Sequence, residues 1–125
     1  MSGDFSKALP LGTQGEAFAV QYLKNLKYTI LQTNYRCRCG EIDIIAKDGS
    51  VLVFVEVKAR RGTSYGPPQL SVTSFKQRQI SKTALTYLLQ KRLMEENARF
   101  DVIALVLRNG EPVVTHIKDA FELAY

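Results

Sequence analysis

Residues 41–58 read Glu-Ile-Asp-Ile-Ile-Ala-Lys-Asp-Gly-Ser-Val-Leu-Val-Phe-Val-Glu-Val-Lys. Two apolar runs with many β-branched residues flank Asp48-Gly49, a dipeptide that favours a tight hairpin turn. Asp43, Glu56 and Lys58 interrupt these runs with charge. A charge in an apolar strand costs stability unless it is paired or holds a metal. A two-residue Asp48-Gly49 loop would pair Lys47 with Ser50, placing Asp43 opposite Phe54 and Glu41 opposite Glu56. Side chains alternate faces along a strand, and opposed residues point the same way. Asp43, Glu56 and Lys58 are then expected on one face, with the two carboxylates as diagonal neighbours roughly 5–8 Å apart. A slip of two residues would set Asp43 directly opposite Glu56 and keep the face, whereas a slip of one would break the arrangement.

Paired carboxylates repel unless a cation lies between them. Mg²⁺ suits such a pair, because it takes oxygen ligands from one or two carboxylates and keeps waters and phosphate oxygens. Such an ion assists phosphodiester hydrolysis by polarising the phosphate and acidifying a water. Lys58 could orient that water or offset charge in the transition state, and the Val57 carbonyl is a candidate further ligand. The competing reading is a solvated sheet face with Glu56–Lys58 as a surface ion pair. Ile45, Leu52 and Phe54 on the same face argue that it is at least partly covered.

Outward from the hairpin, the chain reads α-β-β-β-α-β-β. Residues 1–12 form a loose lead-in with Pro10 and Gly12. Thr13-Gln-Gly-Glu16 fits a capping box opening a helix to about Leu26. Glu16 is also on the stripe of Val20 and Leu23 that should face a sheet, so it can cap the helix, join the carboxylates, or do both. Strands are expected over 28–35, 41–47 and 51–58, with Arg36-Cys-Arg-Cys-Gly40 as a basic turn. The Gly- and Pro-containing stretch 59–72 reads as a loop. Thr73 or Ser74 caps a second helix to about Arg92, with Ile80, Ala84, Tyr87 and Leu88 on its apolar face. Strands follow over 99–107 and 113–117 around an Asn109-Gly110 turn, with Arg99 and Asp101 flanking the former and Asp101 paired with a nearby Arg. The expected fold is one α/β domain over 1–125, a mixed five-stranded sheet with a helix on either side.

The motifs Gly15-Glu16-Ala17, Asn34-Tyr-Arg36, Gly40-Glu-Ile-Asp-Ile-Ile45, Val53-Phe-Val-Glu-Val-Lys-Ala-Arg60, Tyr65-Gly-Pro67 and Arg99-Phe-Asp-Val102 together resemble the YraN-like bacterial family. That family is similar to the restriction-endonuclease-like, PD-(D/E)XK, superfamily and to archaeal Holliday-junction resolvases. The resemblance implies a restriction-endonuclease-like fold, with Glu16, Asp43, Glu56 and Lys58 as catalytic positions. Asp43, Glu56 and Glu16 would be the metal ligands for Mg²⁺ or Mn²⁺. It implies a structure-selective DNA endonuclease acting on branched DNA, with a homodimer where both strands of a branch are cut. The alternative is a non-catalytic nucleic-acid-binding protein on the same fold. Ile42 departs from the pattern, since many superfamily members carry Pro before the Asp.

Bulk composition agrees with a nucleic-acid partner. The chain has 125 residues, a net charge of +5 and 46% hydrophobic residues, the profile of a folded basic domain. Arg36, Arg38, Arg60, Arg61, Lys76, Arg78 and Lys82 are expected to bind phosphates. Tyr65 is expected to stack on a base or pack on a sugar. No base-reading motif is visible, so contacts to backbone and shape are expected. No run approaches the ~20 apolar residues that span a bilayer, and the N-terminus lacks the apolar core of a signal peptide, so a cytoplasmic protein without membrane contact is expected. Cys37, Cys39 and distant His116 fall short of a zinc site. Cys37 and Cys39 flank the basic turn and are expected to stay reduced.

Overall fold

The computed structural model describes residues 10–62 and 72–123. Two helices and five strands follow in the order α1 (Leu11–Asn25), β1 (Thr29–Cys37), β2 (Gly40–Asp48), β3 (Val51–Arg61), α2 (Ser74–Gln90), β4 (Ala98–Arg108) and β5 (Glu111–Phe121). The strands form one mixed sheet in sequence order, β1-β2-β3-β4-β5. All neighbours are antiparallel except β3 and β4, which are parallel. A parallel pair needs a crossover, and α2 lies between these two strands in the chain. This is the expected α/β architecture, with the restriction-endonuclease-like element order.

The helices cover opposite faces, so the central strands are apolar on both sides. Ile42, Ile45, Leu52, Phe54, Phe100 and Val102 pack with Ile80, Ala84 and Tyr87 of α2. Ile44, Ala46, Val53, Val55, Ile103 and Leu105 pack with Ala19 and Leu23 of α1. Helix α1 approaches β3 very closely at Gly15. A Cβ there would lie 2.7 Å from the Ala59 Cβ and 3.4 Å from the Leu105 Cδ1, so only glycine permits this seating.

Three expectations about the central elements are corrected. The β2–β3 turn is Gly49-Ser50 rather than Asp48-Gly49, because Asp48 pairs with Val51. Gly49 has φ +62°, which a primed turn with glycine at its first central position requires. The register is therefore slipped by two residues, Ile44 opposite Val55 and Ile45 opposite Phe54. Strict alternation also fails in β2, since Ile42 joins the α2 layer and Ile44, two residues later, the α1 layer. Third, the capping box does not form. Helix α1 begins at Leu11 after Pro10, with no side-chain cap, so residues 11 and 12 belong to the helix. Proline favours such an entry through its fixed φ.

Further boundaries move less. Strand β3 continues through Ala59, Arg60 and Arg61, which were expected to be loop, because parallel pairing with β4 reaches Arg61–Leu107. Thr73 caps α2, its Oγ1 accepting the Lys76 N–H at 3.2 Å, and α2 ends at Gln90, two residues early. Strand β5 spans 11 residues and forms one edge of the sheet. No helix among the described residues is long and apolar enough to cross a membrane.

Candidate active site

The centre of the site is the point where β2 leaves β3. Their described pairing ends at Ile44–Val55, while β3 runs on alongside β4. The Val57 N–H, past that last pair, is satisfied by Asp43, whose Oδ2 accepts it at 2.8 Å. The side chain of Asp43 thus takes the place of a ladder carbonyl. This local departure explains the broken alternation around it. It also draws the carboxylate in between the strands, instead of leaving it on a simple sheet face.

Burial first, then the negative charges of Glu56, Glu16 and Glu41, push the Asp43 carboxyl up to about 7, against the pull of the Val57 N–H. Glu16 approaches Asp43 from α1, and its carboxyl is raised by burial first and then by the negative charges of Glu41 and Glu56, with the Asn34 amide opposing.

Glu56 approaches from β3 on the α2 side, in step with Leu52 and Phe54. It is only 5% exposed. Its Oε2 lies 3.3 Å from the Lys58 Nζ and 3.7 Å from the Lys76 Nζ. The Glu56–Lys58 pair is therefore a buried carboxylate held by two lysines, not a surface ion pair. Burying an ion is tolerable when it is paired in this way. Glu41 lies outside this group, bound to Arg36 at 3.3 Å on the exposed side of the hairpin.

Three carboxylates from three elements thus gather at one end of the sheet: Glu16 from α1, Asp43 from β2 and Glu56 from β3. Among the described residues no three His, Cys, Asp or Glu side chains are arranged to hold an ion as they stand. The donor set nevertheless fits a hard divalent cation that needs only one or two protein carboxylates and completes its shell with water and phosphate oxygens. A cation at Asp43 would also relieve the repulsion that raises its pKa.

Of the basic residues, Lys76 joins the site directly and Arg36 is tied to Glu41. Arg38, Arg61, Arg78 and Lys82 are exposed and Arg60 is half-buried. Tyr65 lies outside the described residues. Cys37 and Cys39 are free thiols. Cys37 ends β1 and Cys39 lies in the β1–β2 turn, and the Cys39 N–H donates to the Cys37 Sγ at 3.3 Å.

Two other features left little sign in the sequence. Asn34 in β1, with its amide nitrogen turned toward them, donates to Glu16 Oε1 and Glu41 Oε2, each at 3.0 Å. The other is a buried network around Asp101, which is 0% exposed. Its carboxylate accepts from Arg99 Nε at 3.0 Å and from the Asp119 N–H at 3.0 Å, and pairs with His116 Nε2 at 2.8 Å. Arg99 in turn reaches Asp48 and the Tyr28 hydroxyl. Pairing of Asp101 with an Arg was legible, but its complete burial and its His116 partner were not.

The family model described as "Uncharacterised protein family UPF0102" matches residues 15–105. A UPF0102 protein of Geotalea uraniireducens is 63% identical, covering 92% of this chain and 91% of its own. That of Geobacter metallireducens is 58% identical, over 92% and 94%. A more distant relative from Clostridium kluyveri is 46% identical, over 90% and 94%. The matched span contains Glu16, Asp43, Glu56 and Lys58 and both packed faces of the sheet, and the chain belongs to the UPF0102 family.

Proposed function

We propose that the protein is a Mg²⁺-dependent, structure-selective DNA endonuclease of the YraN-like, restriction-endonuclease-like kind. The observation that carries this reading is the gathering of Glu16 and Glu56 around Asp43, whose carboxyl is driven up to about 7 by burial first and then by these neighbours. Carboxylates held together at such cost are a mark of functional sites. Asp43, Glu56 and Glu16 would hold the divalent ion. When bound, the ion would polarise the scissile phosphate and lower the pKa of a water at the site. Lys58, fixed on Glu56, offers an ammonium that can orient the attacking water or offset charge building on the phosphate. Lys76 adds a second positive charge from α2, and the exposed arginines of the basic turn, β3 and α2 supply contacts to the DNA backbone.

The test is incubation of the pure protein with branched, nicked and linear DNA in Mg²⁺ or Mn²⁺. Cleavage that disappears in Asp43→Ala supports the reading. No cleavage of any substrate, or equal cleavage by the variant, defeats it. The exposed positive charge supports a second reading, a nucleic-acid-binding protein without catalysis. That protein would bind DNA or RNA in a salt-sensitive, metal-independent manner, and Glu56→Gln would leave binding intact.

A further inference from the structure

The left-handed backbone of Asn34 is unusual in β1. Its φ is +52°, inside an edge strand where an extended conformation is the rule. Asparagine tolerates this region better than most residues, but the conformation still costs energy relative to extended backbone. Asn34 is exposed to solvent, so burial of its own side chain does not account for it. What the conformation does achieve is to aim the amide at two carboxylates at once. The NH₂ group donates to Glu16 Oε1 and Glu41 Oε2, each at 3.0 Å. Glu41 is anchored independently by Arg36 at 3.3 Å. The bridge therefore ties α1, through Glu16, to the β1–β2 hairpin and so to the strand that carries Asp43.

Without this bridge Glu16 has reason to leave. It lies near the start of α1, half-buried, with Glu41, Asp43 and Glu56 all contributing negative charge nearby. Mutual repulsion would turn its flexible side chain out to water. A neutral N–H donor holds a carboxylate without neutralising it, so it does not compete with a cation as Lys or Arg would. We propose that Asn34 is a positioning residue that holds Glu16 against Asp43, so that the carboxylate from α1 is available to a divalent cation. This rests on the metal-dependent reading of the site. Outer hydrogen-bond partners of metal-ligating groups are typically worth roughly 10- to 100-fold in metal affinity.

Asn34→Gly separates this role from a structural one. Glycine adopts positive φ without strain, so the strand keeps its shape and only the amide is lost. Mn²⁺ affinity is measured by calorimetry for wild type, N34G, E16Q and the double variant, alongside thermal unfolding. The expected result is a loss of roughly tenfold or more in N34G with an unfolding midpoint close to wild type. In the E16Q background, N34G should then cost nothing further, because the amide acts only through Glu16. Wild-type affinity in N34G overturns the proposal, as does an equal loss with and without E16Q. If wild type binds no Mn²⁺ at all, the metal-site reading itself falls and takes this inference with it. If wild type binds and N34G is indifferent, only the role of Asn34 falls.

Discussion

At the scale of single residues, the site is made of carboxyl groups kept where folding alone would not choose to keep them. Asp43 illustrates the sign of the effect. Its carboxyl titrates near 3.8 in an unfolded chain and at about 7 in the fold, so the folded state binds the proton more tightly. Its contribution to stability is full below about pH 4 and is lost as the pH rises through 7. The metal-free protein should therefore be stabilised at pH 8 by Asp43→Asn, by on the order of 1 kcal/mol, because the amide oxygen still accepts from Val57 while the repulsion is gone. Chemical unfolding at pH 5 and pH 8 checks this, and the gain should be much smaller at the lower pH. Asp101 behaves oppositely. Burial raises its carboxyl, but His116, Arg99 and the Asp119 amide outweigh burial and leave it below its ordinary value. Its contribution is present above the unfolded pKa of 3.8 and is lost as the pH falls further. Asp101→Ala should cost about 3–5 kcal/mol, measured by denaturant unfolding, since it leaves Arg99 without its buried partner.

At the scale of elements, glycine and turn chemistry decide what the carboxylates meet. Gly15 lets α1 sit against Ala59 and Leu105, and Glu16 is the next residue. Gly15→Ala should push the helix off the sheet, cost about 1–3 kcal/mol, and weaken Mn²⁺ binding because Glu16 moves with the helix. Unfolding and calorimetry on the same sample would show both losses. Thr73→Ala removes the single side-chain cap of α2 and should cost about 1 kcal/mol without touching metal binding. The strands themselves were legible, since the apolar runs Ile44–Ala46 and Val51–Val55 lie on either side of an Asp-Gly-Ser turn sequence. The register was not, because both Asp48-Gly49 and Gly49-Ser50 are acceptable turns, and only the paired strands choose between them. The break in alternation at Asp43 was hidden for a related reason. With both faces of β2 buried, Ile42, Ile44 and Ile45 look alike whichever layer they join. Glu16 was readable only as a residue with two roles. The structure removes the capping role by starting the helix at Leu11.

At the scale of the whole molecule, a net charge of +5 is carried beside an acidic site. Asp43, Glu56 and Lys58 could be found in the sequence because charge is conspicuous in apolar strands; Glu16 was a candidate there too, and the fold moves Lys76 from an expected phosphate contact to a partner of Glu56. On the proposed reading, the exposed cations Arg38, Arg61, Arg78 and Lys82 would make DNA binding depend mainly on phosphate contacts. Affinity should fall steeply with salt. Replacing Arg61 and Arg78 together should weaken binding to unrelated sequences alike and reduce the salt slope by about 1 for each phosphate no longer neutralised. Fluorescence anisotropy over a salt series measures this. The central claim is that the three carboxylates share a divalent ion, and a crystal soaked in Mn²⁺ tests it most directly. The predicted result is an anomalous peak bonded to Asp43 and Glu56, with Glu16 at the same ion, and no peak in Asp43→Ala. No peak at the site, or a peak that survives Asp43→Ala, would contradict it.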